Sequence, residues 1–248
     1  MTTPGISCTN IRKSFDRTEA VSELSVDFRS GKTTALVGPS GCGKSTVLRM
    51  IAGLETPDTG HITIGRETPK QVARRGGLAM AFQDASLLPW RTVRSNIELG
   101  AELARKPVDR VDDLINLVGL DGFAEHRPAE LSGGMRQRAA IARSLISEPE
   151  VLLLDEPFGA VDAITRRRLN QELPPLWRER QTTTLLVTHS VEEAVLLSDR
   201  VIVLSPRPAR ILADIQVEIN RDCKVSTATS PDFRAFVTQV LTALEEAE

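Results

Sequence analysis

The sequence predicts an α/β fold built on a largely parallel sheet, and three observations predict it. Short apolar, β-branched segments recur at residues 33–37, 61–64, 78–82, 151–154, 183–187 and 201–204. Segments with helical spacing of apolar residues lie between most of them. One strand, 33–37, runs straight into a glycine-rich loop and then a helix. Strands that alternate with helices imply parallel pairing through helical crossovers.

Taken in order, the N-terminal stretch reads as strands. The alternation Leu24-Ser25-Val26-Asp27-Phe28 fits a half-buried strand, which the turn at Gly31 closes. From Lys44 the pattern becomes helical, with Val47, Leu48, Ile51 and Leu54 on one face and Gly53 near its end. Residues 84–150 read as mostly helical: Ile97, Leu99 and Leu103 recur at helical spacing, as do Val111, Leu114, Ile115 and Val118, and a third helix is predicted over 133–147. This block sits between two core strands and has the size of a subdomain. Pro174-Pro175 interrupts a helical run at 162–180. A proline inside a helix costs about 3 kcal/mol through its lost donor and its clash, so a kink or break is predicted there. Residues 220–230 are polar and turn-like, and lead to a last amphipathic helix over 233–244. The expected organisation is one domain over residues 1–220, with a helical subdomain at about 84–150, and a short tail with a helix over 221–248.

Composition narrows the function classes. Basic and acidic residues number 31 and 33, a formal charge of −2, which leaves no electrostatic footprint for nucleic acid. Apolar runs such as 151–154 fall far short of the roughly 20 residues of a membrane-spanning helix. Met1-Thr2-Thr3-Pro4-Gly5 shows no export signal. Cys8, Cys42 and Cys223 are odd in number and widely separated, which suggests neither a disulfide framework nor a metal site and fits a reducing cytoplasm. His61, His126 and His189 have no paired ligand spacing.

The segment Gly38-Pro39-Ser40-Gly41-Cys42-Gly43-Lys44-Ser45-Thr46 matches the phosphate-loop pattern G-x-x-x-x-G-K-[ST], between a strand and a helix as its mechanism demands. Triphosphate oxygens need many close donors, and glycines let backbone N–H groups converge on them. The following helix adds partial positive charge at its N-terminus. Lys44 is expected to reach the β- and γ-phosphates, and the Ser45 hydroxyl to ligate Mg²⁺. Downstream, Val151-Leu152-Leu153-Leu154-Asp155-Glu156 is an apolar strand ending in two carboxylates. Taken alone, such a pair also suits an exposed loop or a helix cap. Behind a phosphate loop, Asp155 is expected in the Mg²⁺ shell and Glu156 on the attacking water.

Leu131-Ser132-Gly133-Gly134-Met135-Arg136-Gln137-Arg138 resembles the signature of the ATP-binding-cassette (ABC) ATPases, although Ser132 followed by two glycines is also an ordinary helix cap. The resemblance extends in order over residues 6–215. It implies a P-loop NTPase core with a mainly parallel sheet, an N-terminal antiparallel β subdomain and an inserted α-helical subdomain. It implies that Gln83 contacts Mg²⁺ and water and senses a membrane subunit, and that His189 contacts the γ-phosphate. It also implies that Asp162 links two ATP sites, and that Ser132, Gly133, Gly134 and Gln137 face nucleotide. Phe15 stands where the family sets an aromatic on adenine; a strand-core role is the alternative. Lys32, Ser190 and Val161 depart from the family pattern without removing a phosphate or metal contact.

In such a family the signature of one chain faces the phosphate loop of another, which implies a homodimer, or a heterodimer with a close relative, closing on two Mg·ATP. The stretches Phe82-Gln83-Asp84-Ala85-Ser86-Leu87-Leu88-Pro89-Trp90 and Asp155-Glu156-Pro157-Phe158-Gly159-Ala160-Val161-Asp162-Ala163-Ile164-Thr165-Arg166 resemble the nitrate/sulfonate/taurine branch of bacterial importers. That branch implies separate membrane permease subunits, an extracytoplasmic solute-binding protein, and a place on the cytoplasmic face of the membrane. Leu88-Pro89-Trp90 would then offer apolar surface to the permease, or else pack within the helical block. A soluble, non-transport ABC ATPase such as an assembly factor would share every ATP motif.

Overall fold

The computed structural model describes residues 3–219 and 230–246. Cys223 and nearly all of the polar connection read at 220–230 therefore lie outside the described residues.

The described residues build two sheets. Strands β1 (Ile6–Phe15), β2 (Thr18–Phe28) and β4 (Thr59–Ile64) form an antiparallel sheet in the order β2-β1-β4. Leu24, Val26 and Phe28 face inward, as the alternation predicts. The larger sheet has the order β5-β6-β7-β3-β8-β9, from β5 (Leu78–Ala81), β6 (Val151–Asp155), β7 (Thr183–Val187), β3 (Thr33–Val37), β8 (Arg200–Leu204) and β9 (Ile211–Gln216). All its pairings are parallel except β8 with β9. Strand β9, outside the strands read from sequence, is a short, half-exposed edge strand.

Period-two alternation divides the core into two layers. Leu152 and Leu154 face one cluster, with Ile97, Leu114, Ile141 and Phe158 of the helical side. Val151 and Leu153 face the other, with Ile6, Ile11, Leu48 and Ile51. A sheet covered on both faces needs strands that are apolar at every position, and β3 and β6 are fully buried.

Helix α1 (Lys44–Ile51) follows β3. Val47, Leu48 and Ile51 are buried as predicted, whereas Leu54 lies past the helix end and is 58% exposed. The short α2 (Pro69–Arg74), capped by Thr68, was not predicted. Helices α3 (Val93–Ala104), α4 (Val111–Leu117) and α5 (Gly133–Ile146) are inserted between β5 and β6. Past the site loops, α6 (Ala163–Glu172) stops and α7 (Pro174–Glu179) starts across the single residue Leu173, the break that Pro174-Pro175 predicts. Leu173 is fully buried, so the interruption lies inside the core. Helices α8 (Val191–Leu197) and α9 (Pro231–Glu245) complete the chain, α9 agreeing with the helix read at 233–244.

Because β6, β7 and β3 are neighbours and parallel, their C-terminal ends meet at one edge. Asp155 pairs with Val187, and Leu36 also pairs with Val187. Asp155 ends β6, and the loops after these three strands carry the phosphate-loop motif, Glu156 and His189. Ligands bind at that edge of open α/β sheets.

Candidate functional site

The loop from Gly38 to Gly43 turns tightly. The Cys42 amide donates to the Pro39 carbonyl at 3.3 Å, and Gly41, at φ 73°, occupies the third position of that turn, where only glycine is unstrained. Gly43 begins α1 at φ 117°, and a Cβ there would lie 2.6 Å from the Ala20 carbonyl oxygen. A side chain at Gly43 would therefore push β2 off the loop. Lys44 is buried, and its Nζ donates to the carbonyls of Gly38 and Pro39, each at 2.8 Å. The ammonium is thus folded back over the loop, where an anion in the loop would meet it.

The Ser45 hydroxyl donates to Asp155 Oδ1 at 2.9 Å, joining the start of α1 to the tip of β6. Asp155 is buried, and desolvation pushes its carboxyl above the usual range, partly offset by the Ser45 bond. A buried carboxylate beside a hydroxyl is an oxygen donor set, with Lys44 and Arg49 acting on it only through space. It suits a hard divalent cation such as Mg²⁺, which takes few protein ligands and completes its shell with water and phosphate.

Glu156 follows in the left-handed region, at φ 47°, with its amide donating to the Val187 carbonyl. That conformation turns its side chain out of line with the strand. Its Oε2 accepts from Gln83 Nε2 at 3.1 Å and lies 3.5 Å from His189 Nδ1. Three residues from three different loops therefore meet at one oxygen. The structure brings together Lys44, Ser45, Asp155, Glu156, Gln83 and His189, all picked from sequence.

The remaining sequence-predicted residues lie elsewhere. Ser132 caps α5, accepting from the Met135 amide at 3.2 Å. A Cβ on Gly134 would come within 2.8 Å of the Ala160 carbonyl, so this turn packs on the 159–162 loop. Asp162 caps α6; the Thr165 amide bond holds its carboxyl below the usual range. Among the described residues no hydrogen bond joins Ser132, Gly133 or Gly134 to residues 38–46. Gln137 is buried and its Nε2 donates to the Phe82 carbonyl at 3.0 Å, tying the signature helix to the backbone just before Gln83. Phe15 is 44% exposed at the end of β1, with Lys13 Nζ 5.4 Å from its ring centroid, so it is not strand core.

Several residues that no sequence motif marks also shape the site. Asn96 is buried, accepts from the Leu88 amide at 2.8 Å and donates to the carbonyls of Leu88, Arg91 and Thr92. It holds the loop that leaves Trp90 68% exposed. Glu193 accepts from the Thr188 hydroxyl at 2.9 Å and faces Arg166 Nε at 3.7 Å, while Arg166 Nη2 donates to the Val161 carbonyl. Glu193 stands in the first turn of α8 beside the exposed Glu192, and the sequence alone does not show which of the two acids is buried.

Residues 21–159 match the family model described as ABC transporter. The nitrate import ATP-binding protein NrtD of Synechocystis is 45% identical over 208 residues, 82% of this chain and 77% of that protein. The aliphatic sulfonates import ATP-binding protein SsuB of Bacillus subtilis is 43% identical over 229 residues, covering 91% and 87%. The taurine import ATP-binding protein TauB of Roseobacter denitrificans is 42% identical over 217 residues, covering 84% and 80%. Among solved structures, a bacterial ABC transporter cassette determined as a dimer superimposes with a TM-score of 0.80 at 29% identity, over 86% of this chain and 99% of that one. The same cassette in a post-hydrolysis state bound to ADP and Pi gives 0.79 at 28%. With the phosphate loop, the acidic pair at the end of β6 and the signature turn in this order and on this fold, the chain belongs to the ABC transporter family.

Proposed function

We propose that this chain is the ATP-hydrolysing subunit of a bacterial ABC importer for a small solute of the nitrate, sulfonate or taurine type. The observation that carries the reading is the Glu156 carboxylate, gathered with Gln83 and His189 beside the Ser45–Asp155 pair. The names of the relatives favour import over a soluble assembly role. Residues 1–220 act as the ATPase domain, with 84–150 as its helical subdomain and 221–248 as a short tail. No helix among the described residues is long and apolar enough to cross a membrane. In line with those import proteins, the chain works through membrane permease subunits from the cytoplasmic face, while an extracytoplasmic solute-binding protein delivers the solute.

The chemistry follows from the residues. Backbone amides of residues 40–46 cradle the phosphates of ATP, Lys44 exchanges its loop carbonyls for phosphate oxygens, and Phe15 offers a ring face to adenine. Ser45, Asp155 and Gln83 would hold Mg²⁺, which supplies charge neutralisation on the β- and γ-phosphates. Glu156 orients the attacking water and accepts its proton; His189 holds the γ-phosphate. Phosphoryl transfer passes through a loose transition state, so positioning and charge account for most of the catalysis. Among the described residues the signature turn has no hydrogen bond to its own phosphate loop, and a second copy supplies Ser132, Gly133 and Gly134, with Gln137 setting the turn from behind and Asp162 linking the two sites. Hydrolysis removes the bridging γ-phosphate and the dimer opens, a population shift that the permease uses.

Glu156→Gln tests this. ATP binding should persist, phosphate release should fall at least about a hundredfold, and an ATP-dependent dimer should accumulate in size-exclusion chromatography. Near-normal phosphate release would overturn the assignment.

A further inference from the structure

We propose that Arg207 is a positioning residue for the phosphate loop, fixing the turn that receives the triphosphate of ATP. The inference rests on the reading of residues 38–46 as the ATP loop and adds a residue that none of its motifs contains.

Arg207 lies in the connection between β8 and β9, 166 residues from the loop it touches. Its Nε and Nη2 both donate to the Gly41 carbonyl, at 3.0 and 2.6 Å. Gly41 is the left-handed residue of the turn closed by the Cys42 amide on the Pro39 carbonyl. The conformation of such a turn is set by the orientation of its peptide planes. With its oxygen held outward by a guanidinium, the Gly41–Cys42 peptide cannot flip without breaking two charge-assisted bonds. Arg207 thus holds the turn whose Pro39 carbonyl also accepts from Lys44.

The connection is itself anchored, so the arginine acts from a fixed base. Ser205 and Arg210 close it, the Ser205 amide donating to the Arg210 carbonyl and the Arg210 amide to Ser205 Oγ. Ala209 donates to the Ala20 carbonyl and accepts from the Ser22 amide, which ties the connection to β2. The Ala209 Cβ and the Ala20 carbonyl are the two groups packed against Gly43. Both ends of the phosphate loop thus meet the β8–β9 segment: Leu204 abuts Gly38, and Ala209 abuts Gly43. Arg207 lies on the middle, is exposed to solvent, and adds a fixed positive charge beside the nucleotide path.

The test is steady-state phosphate release against ATP concentration on the full-length chain, with Arg207→Ala, Arg207→Lys and a Lys44→Ala control. Arg207→Ala should raise KM for ATP about five- to tenfold, with kcat falling less than twofold. Arg207→Lys keeps the charge but makes a single bond, and should recover part of the loss. Thermal midpoints without nucleotide should differ little among the arginine variants, because the side chain is exposed. An unchanged KM in Arg207→Ala, with Lys44→Ala impaired, would overturn this inference alone. Unimpaired ATP binding in Lys44→Ala would overturn the reading of the loop itself. A loss in Arg207→Ala that tracks a lowered thermal midpoint would make the role merely structural and overturn it too.

Discussion

His189 Nδ1 lies 3.5 Å from Glu156 Oε2, the same oxygen that accepts from Gln83 Nε2 at 3.1 Å. The histidine comes from the loop after β7 and the glutamate from the loop after β6, brought side by side by parallel pairing of those strands. The side chain of His189 is 62% exposed, so its place is set by this contact and by its loop, not by packing. His189→Ala should therefore leave the thermal midpoint nearly unchanged and lower phosphate release by about a hundredfold, with ATP affinity reduced much less. Turnover within a few-fold of wild type would remove His189 from the mechanism.

The loop holding His189 depends on a buried acid. Glu193 accepts from the Thr188 hydroxyl, and Thr188 Oγ1 in turn accepts from the Ser190 amide at 3.0 Å. Burial pushes the Glu193 carboxyl up, while Thr188 and Arg166 pull it back. Removing Arg166 leaves that acid without its cation and also frees the Val161 carbonyl. Arg166→Ala should cost about 1–2 kcal/mol, less than a fully buried pair because the arginine is one-third exposed. Adding Glu193→Gln should restore part of that stability. A double-mutant cycle in urea measures the coupling, and purely additive effects would refute it.

Asn96 carries a different load. Four hydrogen bonds to one buried side-chain amide hold residues 88–92 in place, and its loss takes the partner from the half-buried Leu88 amide and Arg91 carbonyl. Asn96→Leu should destabilise the chain by about 2 kcal/mol. It should also loosen the loop that presents Trp90. The only other tryptophan is the buried Trp177, so in a Trp177→Phe background fluorescence anisotropy reports on Trp90 alone. Anisotropy should drop in Asn96→Leu; an unchanged value would show that the loop holds itself.

Two acids between α5 and β6 give stability a pH dependence. The hydrogen bond from Arg180 holds the Glu148 carboxyl below the usual range, and that from Arg75 does the same for Glu150. Lowered folded-state values mean that the unfolded chain binds more protons, so stability rises with pH in that window. The contribution is fully present above about pH 4.5, where the unfolded carboxyls are ionised, and is lost as pH falls through the folded values. Both pairs are partly exposed, which limits each to about 0.5–1 kcal/mol. Urea unfolding should show wild type more stable than the Glu148→Gln/Glu150→Gln variant at pH 7, with the gap shrinking at pH 3.5. A gap independent of pH would contradict the assignment.

What the sequence determined by itself was local. A phosphate loop is contiguous, so Gly38 to Thr46 announced both its strand–loop–helix context and its chemistry. The fully apolar 33–37 and 151–154 announced a sheet covered on both faces, and Pro174-Pro175 announced the break at Leu173, since a missing donor needs no tertiary context. Edge strand β9 carries only a short alternation of Ile211, Ala213 and Ile215, and the short α2 buries only Val72, so neither stands out in the sequence. Tertiary structure decided who meets whom. Strand order places β6 and β7 side by side and β3 next to β7, out of chain order, and only that order puts Gln83, Glu156 and His189 on one oxygen. It also separated Phe15 from the core, placed Gln137 behind the signature turn, and laid Arg207 on Gly41. These are pairings between residues tens to hundreds of positions apart, and a hydrogen bond at such separation leaves no periodicity in the chain to read.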